Sequence, residues 1–183
     1  IEHFEGILKS SIPNSLIFEI VGSYRRGAHD SGDIDIIITS NPSFKNFPPK
    51  VKPAQYFAKM FDTYLQYLKE QEVITHFLSK GTKKSLVIGK VPSFKTYRRI
   101  DFLYTPPEEF PFAILYFTGS KDFNTAMRGY ALSIGLSLNE HGFTDTSTKK
   151  ELKIPEIITE PDVFTYLKLQ YVNTAKPCSK TRA

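Results

Sequence analysis

The sequence predicts an α+β fold in two subdomains, and three observations carry that expectation. Short runs rich in β-branched and aromatic residues dominate the chain up to residue 106, with one long amphipathic helix covering them. Pro106-Pro107 then interrupts the chain. Beyond it the apolar residues recur mainly at helical spacing, so a strand-rich half is followed by a mainly helical one. The expected boundaries are residues 1–106 and 107–183.

Each element has its own local reason. Glu2–Ser10 places Phe4, Ile7 and Leu8 at helical spacing, and Pro13-Asn14 ends that helix. Strands are expected at Phe18–Val21 and Asp33–Thr39. Asn41–Lys52 is a proline-containing loop, and Pro53 suits the first position of a helix. From Ala54 to Glu70, Phe57, Met60, Phe61, Tyr64, Leu65 and Leu68 fall on one helical face. Val73–Leu78 and Ser85–Lys90 read as strands joined by a hairpin turn at Gly81, and Tyr97–Tyr104 as another. Phe110–Phe117 and Asp122–Ile134 read as helices, with Asp122 as N-cap of the second. Phe123, Met127, Tyr130, Ala131 and Ile134 form its apolar stripe and are expected in the core. A weak hairpin at Leu138–Lys153 and a helix near Pro161–Leu169 complete the order.

Composition bounds the function class. Forty per cent hydrophobic and 23% charged residues suit a soluble globular chain. No apolar run approaches the roughly 20 residues of a membrane helix. A single cysteine, Cys178, excludes an internal disulfide and agrees with a reducing compartment. The net charge of +5 suits a polyanionic partner, though it would suit many other proteins too. The basic tail from Lys176 to Arg182 is expected to fray. Because the first residue is Ile, the chain is expected to be a fragment or to lack its start.

The stretch that organises the rest is Gly22–Thr39, GSYRRGAHDSGDIDIIIT. Gly22-Ser23 opens a short polar turn with Arg25 and Arg26, and Gly32 makes a second turn. Asp33 and Asp35 then begin a β-branched strand. Residues two apart on a strand share a face, so the two carboxylates project together. Adjacent carboxylates repel and raise a pKa unless a positive group lies between them. A divalent cation with oxygen ligands is the usual solution, and magnesium also coordinates phosphates. A Gly-Ser turn beside such a pair offers N–H groups and a hydroxyl to a phosphate. The alternative is a strand edge with two solvated aspartates. A third acid, Asp101, lies in Arg98-Arg99-Ile100-Asp101-Phe102, on the strand face opposite Ile100 and Phe102. On this segment alone an Asp101–Arg99 salt bridge is the simpler reading. Beside the Asp33/Asp35 strand, Asp101 would complete a three-carboxylate site able to hold two metal ions.

Gly-Ser followed about ten residues later by Asp-x-Asp resembles the nucleotidyltransferase signature, in the form carried by the polymerase beta-like family X DNA polymerases. The resemblance spans nearly the whole chain. It implies a nucleotidyltransferase-type palm, a mixed sheet with helices on one face, over residues 1–106, and a mainly helical thumb over 107–183. It also implies a DNA-directed DNA polymerase of short-gap and base-excision repair using two Mg²⁺, with Mn²⁺ able to substitute. The partners it implies are gapped or primer–template DNA and a dNTP, with no membrane and a monomeric chain. Its location would be intracellular: nuclear in a eukaryote, cytoplasmic or virion-associated in a virus. Asp33, Asp35 and Asp101 would be the metal-binding catalytic acids, and Arg99 would orient Asp101. Gly22, Ser23, Arg26 and the backbone of Gly32 would face the triphosphate, with Arg25 the less clear of the two arginines.

The resemblance extends to Tyr116-Phe117-Thr118-Gly119-Ser120 and the helix after it. Tyr116 and Phe117 would lie under the sugar and disfavour a ribose 2′-OH, and Gly119–Ser120 would be a cis peptide. Asn124 and Arg128, four apart on one helix face, would read the base's minor-groove edge and contact the template strand. Spacing alone fits a solvated face equally well. Minor-groove acceptors are alike in all correct pairs, so such contacts test pair shape rather than sequence. Lys121 stands where the family has an acidic residue, which points it toward a phosphate. Glu140 would pair with Arg128 or its neighbours, and His141 would be structural. No helix-hairpin-helix motif of a fingers region is present, nor the arginine that region supplies, so palm and thumb alone are expected. The rivals are a template-independent nucleotidyltransferase of the same fold and a DNA-binding module with a dead site; three intact aspartates argue against the second.

Overall fold

Pro53 opens the longest helix because its missing N–H is one the first turn leaves unbonded in any case, and its buried stripe of Phe57, Phe61, Tyr64, Leu65 and Leu68 gives that helix its seat. The computed structural model describes residues 1–28, 31–90 and 95–175. In chain order its elements are α1 (Glu2–Ser11), β1 (Leu16–Ile20), α2 (Gly22–Arg25), β2 (Asp33–Ser40), α3 (Pro53–Glu70), β3 (Ile74–Lys80), β4 (Lys84–Gly89), β5 (Arg98–Tyr104), α4 (Phe110–Thr118), α5 (Lys121–Ser133), β6 (Leu136–Asn139), β7 (Gly142–Asp145), β8 (Glu151–Leu152) and α6 (Glu160–Tyr166). They fall into two units, Ile1–Ile20 with Ser31–Pro106, and Val21–Asp30 with Pro107–Ala183. The basic tail and Cys178 lie outside the described residues.

The first unit is built on a five-stranded sheet in the order β1-β2-β5-β4-β3. β2 and β5 are parallel and every other pair is antiparallel, so the sheet is mixed. Side chains alternate along β2 and β5, which separates two faces. Ile34, Ile36 and Ile38 are in register with Ile100, Phe102 and Tyr104, and all six are buried. Phe61 of α3 meets Tyr104 with ring centroids 5.9 Å apart, so α3 covers this face. Each large side chain buried here contributes about 1.5–3 kcal/mol. Ser11 of α1 hydrogen-bonds the Tyr64 hydroxyl at 2.9 Å. Burial pushes the Tyr64 pKa up to about 12, so the phenol stays protonated and keeps that bond.

The second unit packs α4, α5 and α6 around Phe112, Leu115, Met127, Ala131, Val163 and Phe164. The expected hairpin is a three-stranded antiparallel sheet, β6-β7-β8, because the two residues of β8 gain their ladder only by pairing with β7. Three local expectations are corrected. The Gly22-Ser23 turn is a short helix, α2. The N-cap of α5 is Ser120, whose hydroxyl accepts from the Phe123 N–H, and Asp122 sits inside the first turn. Within the α5 stripe Met127 and Ala131 are buried, but Tyr130 is 38% and Ile134 48% exposed. Tyr130 instead donates to the Leu167 carbonyl, and Ile134 is the C-cap, where the chain turns away through left-handed Gly135 at φ +83°.

Candidate active site

Parallel neighbours in register carry their side chains on the same face, and this brings the acids together. Asp35 is the Cα partner of Asp101, and Asp33 that of Arg99. All four occupy the face opposite the isoleucine core. The Arg99 guanidinium bridges two of the acids, with Nη2 2.5 Å from Asp33 Oδ2 and Nε 3.4 Å from Asp101 Oδ1. That Asp101 oxygen is buried and makes no hydrogen bond. The Asp35 pKa is raised, first by burial, then by the Asp101 and Asp33 carboxylates, against the opposing pull of Lys84 and Arg99.

Such a set asks for more positive charge than it has. Its donors are all carboxylate oxygens, which suits a hard divalent cation. The side chains of Asp33, Asp35 and Asp101 fit that ion chemically. Among the described residues no three His, Cys, Asp or Glu side chains already converge as an ion-holding group. Arg99 supplies the bridging charge between Asp33 and Asp101 in this arrangement, and seating an ion there requires the guanidinium to yield. Gly32, just before β2, has open space where a Cβ would stand and no left-handed φ, so neither packing nor strain demands glycine there.

The other expected residues belong to the second unit. Gly22, at φ +66°, opens α2, and Ser23 lies in its first turn. The two arginines after it have different fates. Arg25 is spent inside the unit: it donates to Glu160 at 3.0 and 3.3 Å, to Thr118 Oγ1 at 2.9 Å and to Thr174 Oγ1 at 2.8 Å. Arg25 and Glu160 side chains are only 14% and 5% exposed. Arg26 donates to the Thr118 carbonyl oxygen. Gly119, at φ +64°, follows, and the Gly119–Ser120 peptide is cis. The left-handed φ is what favours glycine at this turn, and a Cβ there would in addition come within 3.3 Å of an Arg26 side-chain nitrogen.

Tyr116 and Phe117 end α4 in an edge-to-face contact at 4.9 Å. Asn124 Nδ2 donates to the Tyr116 carbonyl at 2.8 Å. The Arg128 guanidinium lies 4.6 Å from the Tyr116 ring centroid and pairs with Glu140 at 3.5 Å. His141 Nδ1 meets Glu109 Oε2 at 2.8 Å, a contact that ties the β6–β7 turn to the start of α4. Lys121 is exposed in the first turn of α5.

Two participants escaped the sequence reading. Lys84 acts on Asp35, and only β4–β5 pairing brings it near. Glu160 carries no local signal beyond opening a helix before Pro161.

A mixed sheet with paired acids in register, followed by a mainly helical unit, is the arrangement of a nucleotidyltransferase-type palm and thumb. The chain matches the family model of the DNA polymerase beta palm over residues 3–107 and that of the DNA polymerase beta thumb over residues 113–175. It belongs to the family X DNA polymerases. It is 29% identical over 189 residues to DNA polymerase lambda of Rattus norvegicus, covering 96% of this chain and 31% of that protein. DNA nucleotidylexotransferases of Xenopus laevis and Gallus gallus are each 26% identical, over 92% and 88% of this chain and 37% and 35% of theirs. The chain thus spans about a third of the length of these relatives. No helix among the described residues is long and apolar enough to cross a membrane.

Proposed function

We propose that this chain is the catalytic palm and thumb of a DNA-directed DNA polymerase that adds a deoxynucleotide to a primer 3′-OH in short-gap repair. The observation that supports it most is the Asp35–Asp101 pairing on adjacent parallel strands, with an Asp101 oxygen left without a hydrogen bond. Asp33, Asp35 and Asp101 hold two Mg²⁺ (or Mn²⁺) in this reading. Bound there, the ions supply charge for the triphosphate and lower the pKa of the attacking hydroxyl. Arg99 withdraws from Asp33 and keeps Asp101 oriented. Ser23, Arg26 and the backbone of Gly22 and Gly32 hold the triphosphate, where fixed donors favour developing charge. Tyr116, Phe117 and the turn at Gly119 pack against the sugar. Asn124 tests the base edge, Arg128 and Lys121 contact the DNA backbone or template, and Glu140 restrains Arg128. On this reading the protein works inside the cell, in the nucleus of a eukaryote or, if viral, in the cytoplasm or the virion.

Template-independent addition is the second reading, favoured by the similarity to the two nucleotidylexotransferases. Extension of a one-nucleotide gap, and of the same primer without template, with dNTP and with NTP, separates the two. Templated dNTP addition is expected. Equal extension without template would move the chain to the second reading, and no extension of either substrate with Mg²⁺ or Mn²⁺ would sink both.

A further inference from the structure

The two residues expected to read the nascent pair are both docked on one residue of the sugar gate. Asn124 donates to the Tyr116 carbonyl at 2.8 Å, and Arg128 lies over the Tyr116 ring at 4.6 Å. Glu140 holds the same guanidinium at 3.5 Å. These contacts hold the readers in one place. The Asn124 amide spends one of its two N–H donors on a carbonyl, and the Arg128 guanidinium is held between the Tyr116 ring and the Glu140 carboxylate, so reaching a template strand elsewhere means leaving both. All are local to the end of α4, the face of α5 and the β6–β7 turn. Arg128 is 38% exposed at its side chain, so the dock is shallow enough to open.

We propose that the Tyr116 ring is the resting dock of Arg128, so that a residue read as packing against the sugar also sets how readily Arg128 engages the template strand. The proposal rests on the reading of Arg128 as a template contact. A ligand shifts an equilibrium only by its differential affinity for the two states, so a docked Arg128 lowers affinity for template by whatever the dock contributes. A cation–π contact at a partly exposed site corresponds to about a two- to fivefold change in an equilibrium constant. Tyr116→Phe keeps the ring, whereas Tyr116→Leu removes it and leaves a shorter apolar side chain.

The test has two arms. In the first, the Arg128 Nε–Hε resonance of the ligand-free chain is followed by NMR. Ring current is expected to displace it in wild type and Tyr116→Phe, and the displacement to vanish in Tyr116→Leu. An unchanged resonance in Tyr116→Leu would overturn the dock, whatever the enzyme does. In the second, primer–template affinity is measured for Tyr116→Leu, Arg128→Ala and the double variant. Arg128→Ala is expected to weaken binding. Tyr116→Leu is expected to strengthen it about two- to fivefold, and only while Arg128 is present. The same Tyr116→Leu effect in both backgrounds overturns the proposal and leaves the template-contact reading standing. No effect of Arg128→Ala overturns that reading and the proposal with it.

Discussion

Asp35 carries an electrostatic penalty in the folded chain. Its raised pKa means that the ionised form is disfavoured in the folded chain, chiefly by burial and then by Asp101 and Asp33. The sign follows directly. Below the ordinary carboxylate range the group is protonated in both folded and unfolded states and costs nothing. As pH rises through the folded-state pKa the penalty appears in full, so this residue's contribution to stability falls with rising pH. Asp35→Asn should therefore raise Tm at neutral pH in metal-free buffer, read by thermal melting, while abolishing extension; a lower Tm would contradict the electrostatic account. Asp33→Ala should also abolish extension, and both changes should weaken metal-dependent dNTP binding. Asp101→Ala should abolish extension yet largely spare dNTP binding, because on the proposed reading the metal it would help hold would serve the attacking hydroxyl. Near-normal turnover in Asp101→Ala would remove it from the catalytic set. Titration of a fluorescent dNTP alongside gap filling measures both properties.

Individual elements are held by means that periodicity does not reveal. α2 and α6 are joined by Arg25 and Glu160, a pair removed from water and supplemented by Thr118, Thr174 and Tyr171. Breaking a buried pair leaves an unpaired buried charge, typically at a cost of about 3–5 kcal/mol. Arg25→Ala or Glu160→Ala should thus lower the denaturant midpoint by that equivalent. The apolar double replacement Arg25→Met/Glu160→Leu should lower it much less. Equal losses in single and double variants would mean that the charges are not what matters. The connection after β7 depends on an exposed acid. Asp145 Oδ1 accepts from the Ser147 hydroxyl at 2.6 Å and from the Ser147 and Thr148 amides at 2.8 Å each. These bonds bring its pKa down to about 2. Stability from a lowered pKa is complete above the ordinary carboxylate range, about pH 4, and is lost as pH falls toward 2. Amide exchange at Ser147 and Thr148 should accelerate across that window relative to the intrinsic rate. Asp145→Asn should abolish the pH dependence.

Taken as a whole, the chain carries +5 and a sequence pI near 9.1, which sets an expectation about its partner. Cationic side chains that neutralise DNA phosphates release counterions, so log affinity should fall linearly with log salt, at a slope of about −0.9 per phosphate contact. Binding of labelled gapped duplex at several salt concentrations gives that slope directly. A flat response would count against DNA, whereas a steep one with no preference for gapped over intact duplex would count against short-gap repair.

Much of the architecture was legible because it is local. The 3.6-residue spacing of Phe57, Phe61, Tyr64 and Leu68 determines a helix wherever the chain goes, and β-branched alternation after Asp33 determines a strand with two acids on one face. The Asp-x-Asp beside Gly22-Ser23 was legible for the same reason, since its residues lie within one short stretch. Pairing was not. Spacing alone favours an Asp101–Arg99 salt bridge, and only the family resemblance groups Asp101 with Asp33 and Asp35; that Lys84 opposes the repulsion and that Arg25 turns to Glu160 depend on which strands and helices become neighbours, and sequence separation hides this. The two arginines show the limit best. As adjacent letters, Arg25 and Arg26 are equivalent cations. The folded chain commits Arg25 to a buried carboxylate and directs Arg26 to the Thr118 carbonyl. A guanidinium's role is set by which acceptors surround it, and only tertiary packing supplies those acceptors.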